Sequence, residues 1–442
     1  MRVGRSALGV FASNLFNVVL SFGNSILLTR TLGVVGRGEF AIFSASFGIL
    51  SLLMGLGLDV SLRYFVAKEE VPRERILSTL MLFAGLSGIL LLAVVHANHA
   101  LFQNEIFLPS TRQDVRFELT LVGVVVANMI YGNIASVFAG SRSFKTLNVA
   151  SVGFSAVSLA LYGALLWAKA SGRWPVDSGD VFVAYLGLQF FNAMVLVALA
   201  YRQLGVRPSL GLLDAGLLRG MLGYAGLAYV ANLAQFLNYR VDIWIVQHFT
   251  GSAALGLYAL AANLAMMLWL LPRATSTVLL PAMAAGEAGA GFREAARLGR
   301  ISLAVTVAGA VPLALSAPWW ITLLYGVDFF GAAAPFVILL LGCVPFTLCV
   351  IHAGALAGAD RQGVNLRAST VGLAFTVALD FLLIPRYGIG GAAVASTVSY
   401  LVTTVIVLRA FAEAGSVSVA ACLVPQPGDF RYVRDGLKSL LR

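Results

Sequence analysis

The sequence predicts an all-α, polytopic membrane protein with twelve transmembrane helices in two pseudo-symmetric six-helix bundles around a central cavity. Three observations carry this. Hydrophobic residues make up 59% of the 442-residue chain and charged residues only 11%, against roughly 25% charged in soluble domains. Apolar runs bounded by charges or turn residues recur along the whole length, each near the ~20 residues that cross a bilayer. A polar stripe on one of these runs reappears half a chain earlier.

That stripe lies in residues 231–251, ANLAQFLNYRVDIWIVQHFTG. At 100° per residue, Asn232, Gln235, Tyr239 and Asp242 fall within about 80° of arc on an otherwise apolar helix. At an offset of 218, Asn14, Asn17, Ser21 and Asn24 have the same spacing. The match continues from TLGVVGRGEFA (31–41) to FTGSAALGLYA (249–259), pairing Gly33 with Gly251, Gly38 with Gly256 and Phe40 with Tyr258. AGSRSFKTLNVASVG (139–153) also resembles AGADRQGVNLRASTVG (357–372) at nearly the same offset. A shared offset at three places reads as an internal duplication. Six helices is an even number, so the two lobes have the same topology, related by an axis near the membrane normal. The expected organisation is an N-terminal lobe (1–206), a C-terminal lobe (207–413) and a cytoplasmic tail (414–442).

In chain order the spans are expected at 8–31, 39–62, 76–97, 117–139, 147–168 and 181–201 in the first lobe. In the second they are 222–248, 254–281, 300–324, 331–357, 364–384 and 390–411. The first follows a basic flank (Arg2, Arg5) and lacks a cleavage site, so it reads as a retained span and not a signal peptide. Pro272, Pro312, Pro318, Pro335 and Pro345 concentrate expected kinks in the second half. The final stretch, GDFRYVRDGLKSLLR (428–442), is amphipathic. Phe430, Val433, Leu437, Leu440 and Leu441 oppose Arg431, Arg434, Lys438 and Arg442, a pattern that suits either an anionic leaflet surface or a polar tail.

The net charge of +10 needs no nucleic-acid partner. With the N-terminus inside, 22 of the 30 Lys and Arg fall in cytoplasmic segments and seven outside, leaving Arg240 within a span. This is the positive-inside distribution of a multi-pass plasma-membrane protein with both termini cytoplasmic. Cys343, Cys349 and Cys422 form neither a disulfide framework nor a metal-ligand spacing. The four histidines lack metal-ligand neighbours, and no Walker motif occurs, so no metal, cofactor or enzymatic constellation is expected.

Few ionisable residues sit within spans, where each costs about 2.5–3.5 kcal/mol and marks a protein- or water-facing position. Arg240 and Asp242 project about 160° apart on one helix and cannot pair with each other. Asp242, on the stripe, reads as a proton or sodium site, as an acceptor for a sugar, or as half of a structural interhelical pair. Asp59 and Arg63 have the spacing of an intrahelical ion pair, or leave Arg63 partly free to recruit an anion at the cytoplasmic mouth. Arg30 ends the first span and suits either interfacial snorkelling or an anionic head group, for which guanidinium is the natural partner. Asp380, six residues before Arg386, reads as structural. The substrate- or cavity-facing set is therefore Asn14, Asn17, Asn24, Arg30, Arg63, Asn232, Gln235, Tyr239, Arg240 and Asp242, with Asp242 the ion-coupling candidate.

Three stretches resemble a known family. NLFNVVLSFGNSILLTRTLGVVGRGEFAIFSASFGILSLLMGLGLDVSLRYFVA is similar to the N-terminal signature of bacterial polysaccharide-biosynthesis (O-antigen-type) flippases. These belong to the multidrug/oligosaccharidyl-lipid/polysaccharide exporter superfamily. RVDIWIVQHFTGSAALGLYALA resembles that family's seventh-to-eighth helix motif, and LLIPRYGIGGAAVASTVSY its near-terminal hairpin. The resemblance implies alternating access by two bundles that flip a polyprenyl-diphosphate-linked oligosaccharide across the inner membrane. It implies diphosphate-sugar contacts at Arg30, Arg63 and Arg240, and work alongside a polymerase and glycosyltransferases. Asp242 matches the family's seventh-helix Asp, while Asp380 departs from an expected Asn. The rivals are an ion-coupled drug antiporter of the same superfamily, which often has an acidic first helix, and a membrane polymerase or glycosyltransferase. The longest outer loop holds Glu105 and Asp114 without an active-site pattern.

Overall fold

The computed structural model describes the chain except Met1, 69–70, 103–114, Arg142, 206–208, 210–213, 286–287 and 441–442. Several further side chains, including those of 2–15, 224–228, 284–290 and 435–440, lie outside the description. The expected lobe boundary at 206/207, the loop residues Glu105 and Asp114, and the Asn14 side chain fall there. So does most of the apolar side of the tail helix (Val433, Leu437, Leu440, Leu441), with Lys438 and Arg442.

Every described element is a helix: α1 (Arg2–Gly55), α2 (Leu58–Lys68), α3 (Arg73–Phe102), α4 (Val115–Gly140), α5 (Phe144–Ala170), α6 (Ser178–Leu204) and α7 (Ala215–Met266). They continue as α8 (Leu270–Ala285), α9 (Ala288–Leu315), α10 (Ala317–Tyr325), α11 (Ala333–Gly358), α12 (Gln362–Gly415), α13 (Val419–Leu423) and α14 (Pro427–Leu440). Bilayers impose this, because helices satisfy their own backbone groups without water. Among the described residues nine helices are long and apolar enough to cross a membrane, so the chain is a multi-pass membrane protein. Large apolar side chains such as Ile89, Leu315 and Leu341 are more than 60% exposed, as lipid-facing positions are.

Three of the nine apolar stretches run 40, 45 and 54 residues, about twice what one crossing needs. Each contains a glycine with positive φ: Gly33 (69°), Gly251 (76°) and Gly388 (56°). Gly33 and Gly251, paired in the duplication, share extended ψ values of −174° and 177°. Side chains on either side of Gly251 touch. Arg240 Nη1 donates to Asn263 Oδ1 at 3.3 Å, whereas 23 residues of straight helix would separate them by about 35 Å. α7 therefore doubles back there. α12 does the same at Gly388, since Ser399 Oγ lies 2.8 Å from the Gly372 carbonyl.

The observed helices correct three expected span boundaries. The span expected at 39–62 ends at Gly55, where Leu56 (φ 47°) and Gly57 (φ 71°) turn left-handed before α2 begins. The one expected at 300–324 divides at Ser316 into α9 and α10. Pro318 has no N–H and its ring opposes the carbonyl four residues earlier, so the helix must restart. The one expected at 254–281 is interrupted by a 3-10 turn at Met267–Trp269, for the same reason at Pro272.

The chain forms two compact units, residues 1–233 and 234–442. In the first, Leu58, Leu62, Leu80, Ile134, Phe138 and Leu196 form a buried core of α2, α3, α4 and α6. Phe43 stacks on Phe182 with ring centroids 4.8 Å apart. The start of α3 is tied to the approach to α7: Arg75 pairs with Asp214 at 2.6 Å, and Ser78 Oγ accepts from Ser209 N at 2.7 Å. At the other end of α3, His96 meets Glu118 at the start of α4, at 3.4 Å. In the second unit Tyr239, Trp269, Phe346 and Tyr400 pack ring to ring, and Trp269 Nε1 donates to the Cys343 carbonyl at 3.0 Å. Gly342 lets α11 and α12 approach, since a Cβ there would lie 2.7 Å from Thr397 Cα.

The tail is bolted down. Arg300, buried in α9, donates from Nε and Nη2 to the two carboxylate oxygens of Asp429, each at 2.8 Å, and from Nη1 to the Ala421 carbonyl. Arg300 holds the Asp429 carboxyl below the usual carboxylate range. A depressed carboxylate stabilises fully above its unfolded pKa of about 3.9 and loses that contribution as pH falls. Trypsin cleavage at Arg431 should therefore stay slow at neutral pH in the wild type and be fast in Asp429→Asn. Pepsin digestion of the tail in the wild type should accelerate below about pH 4. For the turns, Gly33→Ala and Gly251→Ala should each cost about 1–2 kcal/mol, read as lowered melting temperatures in detergent. Gly153→Ala, in an open helical position, should raise stability slightly.

Candidate functional site

The doubling of α7 and α12 brings three helix segments of the second unit together around Asp242. Asp242 stands nine residues before Gly251 and Tyr258 seven after it, so the fold-back lays the Tyr258 hydroxyl on Asp242 Oδ2. The same hydroxyl lies 3.1 Å from Ser396 Oγ, which donates to Asp242 Oδ2 at 3.4 Å. One turn earlier on α7, Asn238 Oδ1 accepts from Thr376 Oγ1 at 3.3 Å and Ser399 Oγ at 3.1 Å. Thr376 precedes Asp380 by one turn on α12, so a ladder forms: Asn238 beside Thr376, then Asp242 beside Asp380. Asp242 is 4% exposed and Asp380 0%, and the two carboxyls interact electrostatically.

The ladder is not closed. Among the described residues, Asp242 Oδ1 and both carboxyl oxygens of Asp380 are buried without a hydrogen-bond partner. Buried polar atoms are almost always bonded, and two adjacent carboxylates cannot both stay ionised in a dry interior without compensation. With the Tyr258 and Ser396 hydroxyls they form a hard, all-oxygen set of the kind that holds a proton or an alkali cation rather than a soft metal. Among the described residues no group of three or more His, Cys, Asp or Glu converges on a metal position.

The remaining sequence-predicted residues do not join this cluster. Arg240 hydrogen-bonds to Asn263, while its charge acts on the Asp242 carboxyl without a direct bond. Gln235 Nε2 donates to the Tyr239 hydroxyl at 2.8 Å, continuing the stripe along α7, and Asn232 is exposed. In the first unit, Asn17 Nδ2 donates to Ser151 Oγ at 3.2 Å and Asn17 Oδ1 accepts from Ser155 Oγ at 3.1 Å, while Asn24 Nδ2 donates to the Ser155 carbonyl at 3.0 Å. The stripe of α1 thus meets α5 as that of α7 meets the first half of α12, with amides and hydroxyls in place of carboxylates. Arg30 is exposed at the end of its helical segment. Arg63 pairs with Asp59 at 3.7 Å, both more than half exposed, and its Nε donates to Ser136 Oγ at 3.4 Å.

Sequence reasoning read Asp380 as structural and passed over Tyr258, Ser396, Asn238 and Thr376 as site residues. Asp380 carried a usable signal, as an ionisable residue inside an apolar span. Tyr258 carried a second: it stands where the duplicated half has Phe40, so the hydroxyl is new to the second half.

A family model described as polysaccharide biosynthesis protein matches residues 3–287, well over half of the chain. The chain belongs to this family. Among curated proteins, a probable low-salt glycan biosynthesis flippase of Haloferax volcanii is 21% identical over 410 residues, covering 92% of this chain and 83% of that protein. Among solved structures, a lipid II flippase in an inward closed conformation superposes with a TM-score of 0.74 at 12% identity, covering 92% of this chain and 90% of that one. An inward-facing multidrug resistance transporter of the multidrug/oligosaccharidyl-lipid/polysaccharide superfamily gives 0.68 at 13% identity, covering 92% and 96%. The fold is that of this superfamily, and the polysaccharide biosynthesis protein is a membrane transporter, not an enzyme.

Removing the Tyr258 hydroxyl leaves Asp242 with one bond fewer in a dry site. Tyr258→Phe should cost about 1–3 kcal/mol, read as a lowered melting temperature, while Phe40→Tyr should yield no matching gain.

Proposed function

We propose that this transporter flips a polyprenyl-diphosphate-linked oligosaccharide across the plasma membrane by alternating access, for assembly of surface polysaccharide. Membership in the polysaccharide biosynthesis family is the observation that carries the reading. The flippases among its relatives add support for a lipid-linked glycan. In this reading the three doubled helices each cross twice, giving twelve crossings in two six-helix lobes about a central path, residues 1–206 and 207–413. Residues 414–442 form the cytoplasmic tail. The positive-inside distribution supports cytoplasmic termini. The joining of Arg75 to Asp214 at one end of α3, and of His96 to Glu118 at the other, agrees with loops alternating between two faces.

Arg30, Arg63 and Arg240 are proposed contacts for the diphosphate, since guanidinium takes two phosphate oxygens at once. Asn14, Asn17, Asn24, Asn232, Gln235 and Tyr239 are proposed polar contacts along the path of the hydrated sugars. The chain has no nucleotide-binding motif, so uphill transport borrows an ion gradient or is pulled by product removal. The Asp242–Asp380 pair is the proposed coupling site: a proton or alkali cation offsets its charge, and loss of that cation weakens the join of α7 to α12. Polymerase and glycosyltransferases of the same pathway are the expected partners.

Deletion of the gene should abolish export of its glycan. Asp242→Asn and Asp380→Asn should each lower export at least tenfold while protein abundance stays within twofold, and Arg240→Lys should recover part of what Arg240→Ala loses. Undiminished export in both Asn variants would remove the pair from the mechanism. Multidrug transporters share the fold, which favours a second reading as a cation-coupled drug antiporter. Resistance to cationic dyes with unchanged glycan export would establish that reading instead.

A further inference from the structure

We propose that the first unit carries a sugar-binding subsite where α4 and α6 begin. This inference rests on the flippase reading and assigns a contact for the glycan on the outer face. A cavity of about 460 Å³ opens there, lined by Arg116, Phe117, Thr120, Trp174, Asp177 and Asp180, within the 300–1,000 Å³ typical of small-molecule sites. These residues lie at the end of the unit remote from the Arg75–Asp214 pair, the end that the charge distribution assigns to the outside.

The indole of Trp174 is a fixed platform. Its Nε1 donates to Asp180 Oδ2 at 3.3 Å, and the residue is 60% exposed. Asp180 is held in turn by the capping box that starts α6. Asp177 Oδ1 accepts from Asp180 N at 2.9 Å, and Asp180 Oδ2 accepts from Asp177 N at 3.2 Å. The lock uses Oδ2; among the described residues Asp180 Oδ1 makes no bond. Phe117 packs edge-on against Phe182 at 5.5 Å and closes the floor. Gly179 keeps the wall open, since a Cβ there would approach Phe117 Cζ to 3.3 Å.

A pyranose has an apolar C–H face and a rim of vicinal hydroxyls. An indole takes the face, and planar carboxylate and guanidinium groups take paired hydroxyls. The cavity offers one aromatic platform, two carboxylates and one guanidinium. Its charge balance is slightly acidic, which disfavours the diphosphate. Arg116 on the rim disfavours a simple organic cation. The subsite therefore suits a neutral or amino sugar of the glycan once it reaches the outer leaflet.

The test uses the full chain in nanodiscs, with a panel of neutral, amino and uronic-acid disaccharides as probes and choline as the cation control. Binding is read by saturation-transfer NMR on each probe and by the indole N–H signal of Trp174, assigned by its loss in Trp174→Phe. At least one neutral or amino disaccharide should bind saturably and shift that signal. Trp174→Ala should weaken it about tenfold and Trp174→Phe about threefold or less, with melting temperatures unchanged. No binding, binding indifferent to Trp174→Ala, or choline in place of sugar would each overturn the subsite. If export still depends on Asp242 while no sugar engages Trp174, the subsite fails and the flippase reading stands. If sugars bind but deleting the gene leaves export intact, the flippase reading fails alone.

Discussion

A polypeptide inside hydrocarbon must satisfy every backbone N–H and carbonyl from within its own segment. This chain meets that constraint with long helices and changes direction at single glycines. A left-handed residue with extended ψ ends one helical run and starts the next without exposing a loop's worth of peptide groups. Gly251 and Gly388 do this in the second unit, and their fold-backs are what assemble the carboxylate ladder. Without the Gly251 turn, Tyr258 would stand about 24 Å from Asp242 along a straight helix.

The two halves share a scaffold and differ in charge. Asn17 and Asn24 make neutral amide–hydroxyl contacts to α5. The equivalent seam of the second unit holds Asp242 and Asp380. The neutral seam is not fully satisfied either: among the described residues Asn24 Oδ1 is buried without a partner. What differs in the second seam is charge: Asp242 Oδ1 and both Asp380 oxygens are buried and unbonded among the described residues.

Much of this was legible in the sequence. Composition and run length identified the membrane class, because charged groups are excluded from lipid whatever the fold. The repeat located Gly33 and Gly251 before their backbone angles were known. The mid-span Asp242 announced itself by its cost. The partners did not, because helical periodicity gives the face on which a residue lies but not which helix meets that face. Asp380 was read against Arg386 along the chain, whereas its neighbour is Asp242, brought near by two turns. The break at Ser316 followed from Pro318 but was absorbed into a span, since a proline that kinks a helix and one that restarts it look alike in sequence.

The clasp between Arg300 and Asp429 has a temporal consequence. The two residues are 129 positions apart, and ribosomes add about 5–20 residues per second. For some ten seconds of synthesis α9 carries a guanidinium whose carboxylate partner does not yet exist. The clasp can therefore close only after Asp429 has been made.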